Sequence, residues 1–307
     1  MMKKAIVTGA NGFIGQYLVD ELVKNNVFVY AVMRKESNFR WYKEEWTKNV
    51  KIIHLNLDEY KYLLDYINDD IDVFYHLAWH GSAGTDRQNV SLQLKNIEWS
   101  SNALSIAKKL GCKHFIGAGS IMEIETYRAV YTQLNKPGLA YIYGSAKQAC
   151  HSMLKAQASS MDIKFNWAMI TNAFGENEIS PRFINTTLRK MLNKESLQFT
   201  SATQNYDFVY VSDVAKAFVK IWESGIPFKH YIIGSNHAKP LKEFIIDMKN
   251  QIDPNQELNF GQIPFTGINL NINDFNASEL MKDTGFNCDV SFQEGIQKTY
   301  NWLREIK

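Results

Sequence analysis

The chain is expected to fold as an α/β protein, a doubly wound parallel sheet with a smaller C-terminal α/β lobe interleaved with it. Three observations carry this expectation. Short apolar runs alternate with helix-length amphipathic segments, the first run ends in a glycine-rich turn, and after about Thr171 prolines and polar loops break the rhythm. At 307 residues the chain is long enough for two lobes of about 150 residues each.

Lys4 to Thr8 reads as the first strand, followed by a helix that opens near Gly12 and ends at Lys24. Val27 to Met33 (VFVYAVM) is almost continuously apolar, as expected of a parallel strand buried on both faces. Lys51 to Leu55, Val73 to Leu77, His114 to Ala118 and Lys164 to Ile170 read as further strands. Ser91 to Leu110 is the clearest intervening helix, with Gly111 placed to close it. Strands and helices in this alternation imply right-handed βαβ units. Beyond Thr171 the chain is interrupted by Pro181, Pro227, Pro240, Pro254 and Pro264, while Phe208 to Val211 and Tyr231 to Ile233 are expected to return to the main sheet. The lobes therefore interleave: 1–171 with about 207–238 form the sheet domain, and about 172–206 with 239–307 form the smaller lobe.

Composition narrows the function classes. Charged residues make up 21% and hydrophobic residues 45%, and the net charge of +2 gives no footprint for nucleic acid or a membrane surface. No apolar run approaches the roughly 18–20 residues of a bilayer span, and no secretory signal precedes the first strand, so a cytoplasmic location is expected. Cys112, Cys150 and Cys288 lie far apart without CxxC spacing, and no HxxxH or acidic cluster occurs, so neither disulfides nor a metal are expected.

Thr8-Gly9-Ala10-Asn11-Gly12-Phe13-Ile14-Gly15 follows the first strand directly and has GxxGxxG spacing. Glycines there permit a tight turn and close approach of backbone to a pyrophosphate, while the helix N-terminus favours the anion. With the β-α rhythm that follows, the turn indicates a Rossmann-type dinucleotide site formed by Gly9, Asn11, Gly12, Phe13 and Ile14. An NAD site would place an acid at the tip of the second strand, but the sequence there is Met33-Arg34-Lys35-Glu36-Ser37. Arg34 and Ser37 suit a 2′-phosphate instead, which favours NADP over NAD.

Tyr143 and Lys147 are four residues apart at the start of a helical stretch running to about Ser160, and so share one helix face. A lysine charge beside a phenol lowers its pKa and suits it to acid–base work. Ser120, just after the strand beginning at His114, falls at the carboxyl edge of the sheet, where its hydroxyl can hold a substrate oxygen.

Together TGANGFIG, Ser120, YGSAK and Asp207-Phe208-Val209-Tyr210-Val211-Ser212-Asp213-Val214 resemble the extended short-chain dehydrogenase/reductases, and more narrowly the NAD-dependent epimerase/dehydratase family that acts on nucleotide-linked sugars. The tail from Asp274 to Ile296 is similar to the family's closing segment. The resemblance implies that Ser120, Tyr143 and Lys147 are the catalytic triad. It places Asn56 and Leu57 beside the adenine, with Asn replacing the usual Asp, and Leu77, Ala78 and Trp79 along the cofactor. Asn96 matches a structural asparagine, and Asn172 the asparagine of an N-x-[YF]-G turn near the substrate.

Departures from the family narrow the chemistry. Its dehydratases carry an acidic pair just after the hydroxyl residue, where this chain has Ile121 and Met122. Glu123, one position later, is a candidate substrate contact or a loop carboxylate. Tyr206 stands where the family often has a pyrophosphate-binding arginine; Arg182, Arg189, Lys190 and Lys194 offer alternative positive charge. His80 is the one histidine expected to overhang the cleft.

These features imply hydride transfer at C4 of a nucleoside-diphosphate sugar, most simply a net 4-keto reduction with NADPH. An epimerase with retained NAD, a reductase of a non-nucleotide ketone and a non-catalytic NADP sensor are the alternatives. Trp99, Leu104, Met153 and Leu154 exceed what one core face needs, and in related proteins these two helices pair into a four-helix bundle, so a homodimer is expected.

Overall fold

In the computed structural model, which describes residues 2–306, the apolar runs of the first half pair into one parallel sheet. The chain order is β1 (Lys4–Thr8), α1 (Phe13–Lys24), β2 (Phe28–Met33), β3 (Val50–His54), α2 (Leu63–Tyr66), β4 (Val73–His76), α3 (Val90–Lys109) and β5 (His114–Ser120). It continues through α4 (Met122–Tyr131), α5 (Ile142–Ser160), β6 (Lys164–Ile170), β7 (Asn172–Phe174), α6 (Phe183–Leu192), β8 (Leu197–Gln198), β9 (Asn205–Tyr206) and β10 (Phe208–Tyr210). The remainder is α7 (Val211–Ser224), β11 (His230–Ile233), β12 (Lys239–Pro240), α8 (Leu241–Ile252), β13 (Leu258–Asn259), α9 (Ser278–Thr284) and α10 (Phe292–Glu305).

The seven-stranded sheet has the order β11-β6-β5-β4-β1-β2-β3. The order reverses between β1 and β4, which opens the crevice at their carboxyl ends where an α/β sheet binds its ligands. One sheet face is covered by Leu18, Val19 and Leu22 of α1 with Phe218 and Ile221 of α7. Leu104 and Ala107 of α3 pack with Cys150 and Leu154 of α5 on the other. Leu104 and Leu154 are therefore core residues, and the large apolar side chains left outward on these helices are Val90, 53% exposed, Leu94, 60% exposed, and Met153, 57% exposed.

A third core joins Leu188, Phe208, Phe244 and Ile296 from the later elements. The segment Phe208–Tyr210 does not enter the main sheet as expected from the sequence; it pairs with Asn172–Phe174 in a separate two-stranded ladder. Tyr231–Ile233 does enter it, as part of β11 beside β6. Two carboxylates of the Asp207–Val214 motif fix this junction. Asp207 accepts from the Thr171 hydroxyl and the Ser235 N–H, both at 2.9 Å, and Asp213 accepts from the Asp289 and Val290 N–H groups.

The glycine turn has the close packing its spacing requires. Gly9 sits at φ +69°, and a Cβ there would lie 2.9 Å from the Ala78 nitrogen; a Cβ on Gly15 would meet the Gly9 carbonyl oxygen at 2.1 Å. No helix of the described residues is long and apolar enough to cross a membrane. Among the described residues, no group of three or more His, Cys, Asp or Glu is arranged to hold a metal.

Candidate active site

Ser120 is the last residue of β5 and Tyr143 the second residue of α5, so strand end and helix start meet at the carboxyl edge of the sheet. Ser120 Oγ accepts from the Met122 N–H at 3.2 Å, and Ser120 and Tyr143 line the same cavity. One turn further on, Lys147 is 4% exposed; its Nζ donates to the Ala118 carbonyl at 2.8 Å and lies 3.6 Å from the centre of the Trp79 ring. Trp79 meets Tyr143 edge to face at 6.1 Å and donates from Nε1 to Gln93.

Burial dominates the electrostatics. It pushes the Tyr143 phenol up, against the opposing pull of Arg87, Arg182 and the Ser120 hydrogen bond, while Glu123 adds to the rise. Burial lowers Lys147 to about 8, so near neutrality its ammonium is easily discharged. His76, beneath it, is lowered to about 3 by burial and by Lys147; it stays neutral between Thr8 and Ser100, a packing residue.

A cavity of about 350 Å³ opens beside this group, between the sheet edge and the later elements from Asn172 onward. Ser120, Ile121, Met122, Tyr143, Asn172, Arg182 and Tyr206 line it. Asn172 donates from its side chain to the Asp207 carbonyl at 3.0 Å, and Tyr206 stacks on Phe208 at 5.6 Å. Arg182 caps the start of α6 and pairs with Glu178 at 3.2 Å. Among the basic residues singled out near α6, Arg182 alone reaches the cavity; Arg189 turns to Asn185.

Two sequence candidates lie elsewhere. Glu123 does not face the cavity: its buried carboxylate is drawn behind β5 by Trp167 Nε1 at 3.0 and 3.1 Å and by the Ser120 N–H at 2.8 Å. His80 is an exposed residue, outside the cavity lining, whose backbone is held on both sides by Asn96 at 2.8 Å. Their places in the cavity are taken by Glu125 and Arg87, which sequence reasoning missed. Burial raises the Glu125 pKa against a hydrogen bond from the Ile268 backbone and the pull of Arg87.

The crevice between β1 and β4 fits a dinucleotide. Gly12 stands at the N-cap of α1 without a side-chain cap hydrogen bond, and Gly9 holds the turn against Ala78. At the β2 tip Arg34 is exposed and Ser37 half-buried. Asn56 is engaged in a capping box with Glu59, whose carboxylate also pairs with Lys35. Leu57 and Leu77 are half-buried around the same edge.

With this geometry in view, comparison with known proteins is informative. Residues 5–234 match the family described as the NAD dependent epimerase/dehydratase family. A CDP-abequose synthase of Salmonella muenchen is 25% identical over 300 residues, covering 96% of each chain. A UDP-N-acetyl-alpha-D-glucosaminuronate decarboxylase of Bacillus cytotoxicus is 24% identical over 328 residues, covering 100% of this chain and 99% of the other. Among solved structures, a UDP-N-acetylglucosamine 4-epimerase of Methanobrevibacter ruminantium superposes with TM-score 0.82 at 21% identity, over 100% of this chain and 99% of that one. A UDP-glucose 4-epimerase of Thermotoga maritima gives TM-score 0.81 at 21% identity, with 99% of each chain covered.

Proposed function

Because the chain belongs to the NAD dependent epimerase/dehydratase family, we propose that it transfers a hydride at C4 of a nucleoside-diphosphate sugar, in the net direction of 4-keto reduction. The observation that carries this reading is the meeting of Ser120 and Tyr143, with Lys147 buried one helical turn further along α5, at a cavity whose next two lining residues after Ser120, Ile121 and Met122, cannot transfer protons. Water loss needs an acid and a base beside the sugar; here Ile121 and Met122 follow Ser120, and the carboxylate nearest in sequence, Glu123, is turned away from the cavity.

Gly9, Gly12 and the first turn of α1 would hold the cofactor pyrophosphate, with Leu77, Ala78 and Trp79 along its length and Lys147 at the nicotinamide ribose. When bound, the cofactor supplies the hydride. Ser120 hydrogen-bonds the substrate carbonyl oxygen as negative charge develops on it, and Tyr143 delivers the proton that completes the alcohol. Asn172, Arg182 and Tyr206 line the part of the cavity assigned to the sugar and its diphosphate.

NADP is the preferred cofactor in this reading. The β2 tip offers the exposed Arg34, and the Glu59 carboxylate nearby is engaged by Lys35 and the Asn56 N–H rather than free for ribose hydroxyls. The outward Leu94 and Met153 on α3 and α5 support a dimer formed through these helices.

The test is to incubate the protein with NADPH or NADH and a panel of CDP-, UDP- and dTDP-linked 4-keto sugars, with simple ketones as controls. The expected result is loss of reduced-nicotinamide absorbance with a nucleotide-linked substrate, faster with NADPH. Interconversion of 4-epimers without net cofactor consumption would assign the epimerase reading, in which the same three residues act in both directions.

A further inference from the structure

Arg87 lies in the turn at Gly84–Gln88 between β4 and α3, a segment with no feature that marks it in the sequence. Its guanidinium carbon sits 4.5 Å from the centre of the Tyr143 ring, in cation–π contact, and its side chain lines the cavity. Its Nε is buried without an acceptor, and among the described residues its side chain joins no ion pair. A guanidinium is planar, keeps its charge when half-buried and stacks on an aromatic face, which an ammonium does less well.

We propose that Arg87 is a positioning residue for Tyr143, setting the proton affinity of the hydroxyl that exchanges its proton with the substrate. The proposal rests on the reading of Tyr143 as the proton carrier. In the reductive direction the substrate carbon gains a C–H bond from the hydride and its oxygen gains an O–H bond from Tyr143. The phenolate left behind recovers a proton from water. While it exists, a positive charge against its ring stabilises it, so the same charge makes the phenol a better acid.

Each group facing Tyr143 bears on this balance. Arg182, at the start of α6, is offset by its ion pair with Glu178. Glu123, from α4, is negative and opposes ionisation, while Ser120, from β5, contributes a hydrogen bond. Lys147, on the same helix, lies 6.0 Å from the ring centre, directs its Nζ to the Ala118 carbonyl and is itself lowered by burial. Trp79 presents a ring edge without charge. Glu125, which also lines the cavity, attracts Arg87, and among the described residues no ion pair joins them. Of Arg87 and Lys147, Arg87 therefore lies nearer the Tyr143 ring, and among the described residues no carboxylate is in ion-pair contact with it.

The test titrates Tyr143 without any substrate. Uniform labelling with 3,5-difluorotyrosine brings the phenols into an accessible pH range, 19F NMR follows each resonance, and Y143F assigns the one that matters. In R87Q the Tyr143 midpoint should rise by about one pH unit, the effect of losing an opposite charge at about 4–6 Å. R87K, which keeps the charge, should recover at least half of that shift, and thermal melts establish that both variants fold. In the 4-keto reductase assay the alkaline limb of kcat/KM should move upward with the midpoint. An unchanged Tyr143 midpoint in folded R87Q overturns the proposal. So does a raised KM with an unmoved midpoint, which would place the guanidinium on the substrate. If no substrate is found, the titration still decides the role of Arg87, so the two failures are separable.

Discussion

Trp167 donates its indole N–H to the Glu123 carboxylate at 3.0 and 3.1 Å, and that carboxylate also accepts from the Ser120 backbone N–H at 2.8 Å. The pair fixes the end of β5 from behind, so the position of the Ser120 hydroxyl depends on a group that does not line the cavity. Glu123→Ala would leave a buried indole N–H and the Ser120 amide without acceptors. The expected cost is about 1–3 kcal/mol of stability, read from denaturant unfolding. Turnover should fall through kcat rather than KM, because the substrate wall is untouched. A rise in KM alone would place Glu123 on the substrate after all.

Lys147 gives a pH signature in the unliganded protein. Its pKa is lowered from 10.5 to about 8 on folding, so between those values the unfolded chain binds more protons. Stability contributed by this group therefore rises as pH increases through that window, and the cost of burying the ammonium is fully present below it. Over pH 8 to 10 the gain should be roughly 2 kcal/mol. Lys147→Met should remove that slope in calorimetric melts and be more stable than the parent at neutral pH. A parallel pH dependence in both proteins would contradict the assignment.

Much of this architecture was legible in the chain because a parallel sheet buried on both faces leaves near-continuous apolar runs; Lys4–Thr8 and Lys164–Ile170 are strands over the predicted residues. The pairing of Phe208–Tyr210 was not, since a three-residue strand is assigned to a sheet by tertiary packing rather than by its own pattern. The site shows the same division. The glycine turn and the Tyr143–Lys147 pair carry local spacings; the turn packs against Ala78, and Ser120 and Tyr143 meet at one cavity. Which acid after Ser120 faces the cavity depends on where α4 begins. Residues two apart on a helix point about 200° apart, so Glu123 and Glu125 face opposite sides of α4, and its start decides which of them meets the cavity. Arg87 lies in a short turn without periodicity, and only its contact with Tyr143 marks it.

Arg34 offers a test of cofactor choice. Arg34→Ala should weaken NADPH binding by about tenfold, the loss of roughly 1.4 kcal/mol expected for a charge-assisted contact, and leave NADH binding nearly unchanged. Fluorescence titration of each reduced cofactor reads this directly. Equal loss for both cofactors would exclude 2′-phosphate recognition at this residue.

Leu94 and Met153 stand outward on the two helices through which a dimer is proposed. Light scattering should give twice the chain mass for the parent protein. The double variant Leu94→Glu, Met153→Glu should give a monomer with an unchanged circular dichroism spectrum, since neither side chain belongs to the core. A parent protein that is monomeric at micromolar concentration would contradict the dimer.

We propose net hydride delivery to sugar C4 with Tyr143 as proton donor. It is tested most directly by supplying NADPH deuterated at nicotinamide C4 together with a 4-keto nucleotide sugar that the protein consumes, and analysing the product by NMR and mass spectrometry. The account predicts deuterium at C4 of the sugar, one cofactor oxidised per product formed, and a rate reduced by about 10²–10⁴-fold in Tyr143→Phe. Epimer exchange with no net oxidation of the added cofactor and no deuterium at C4 would contradict it.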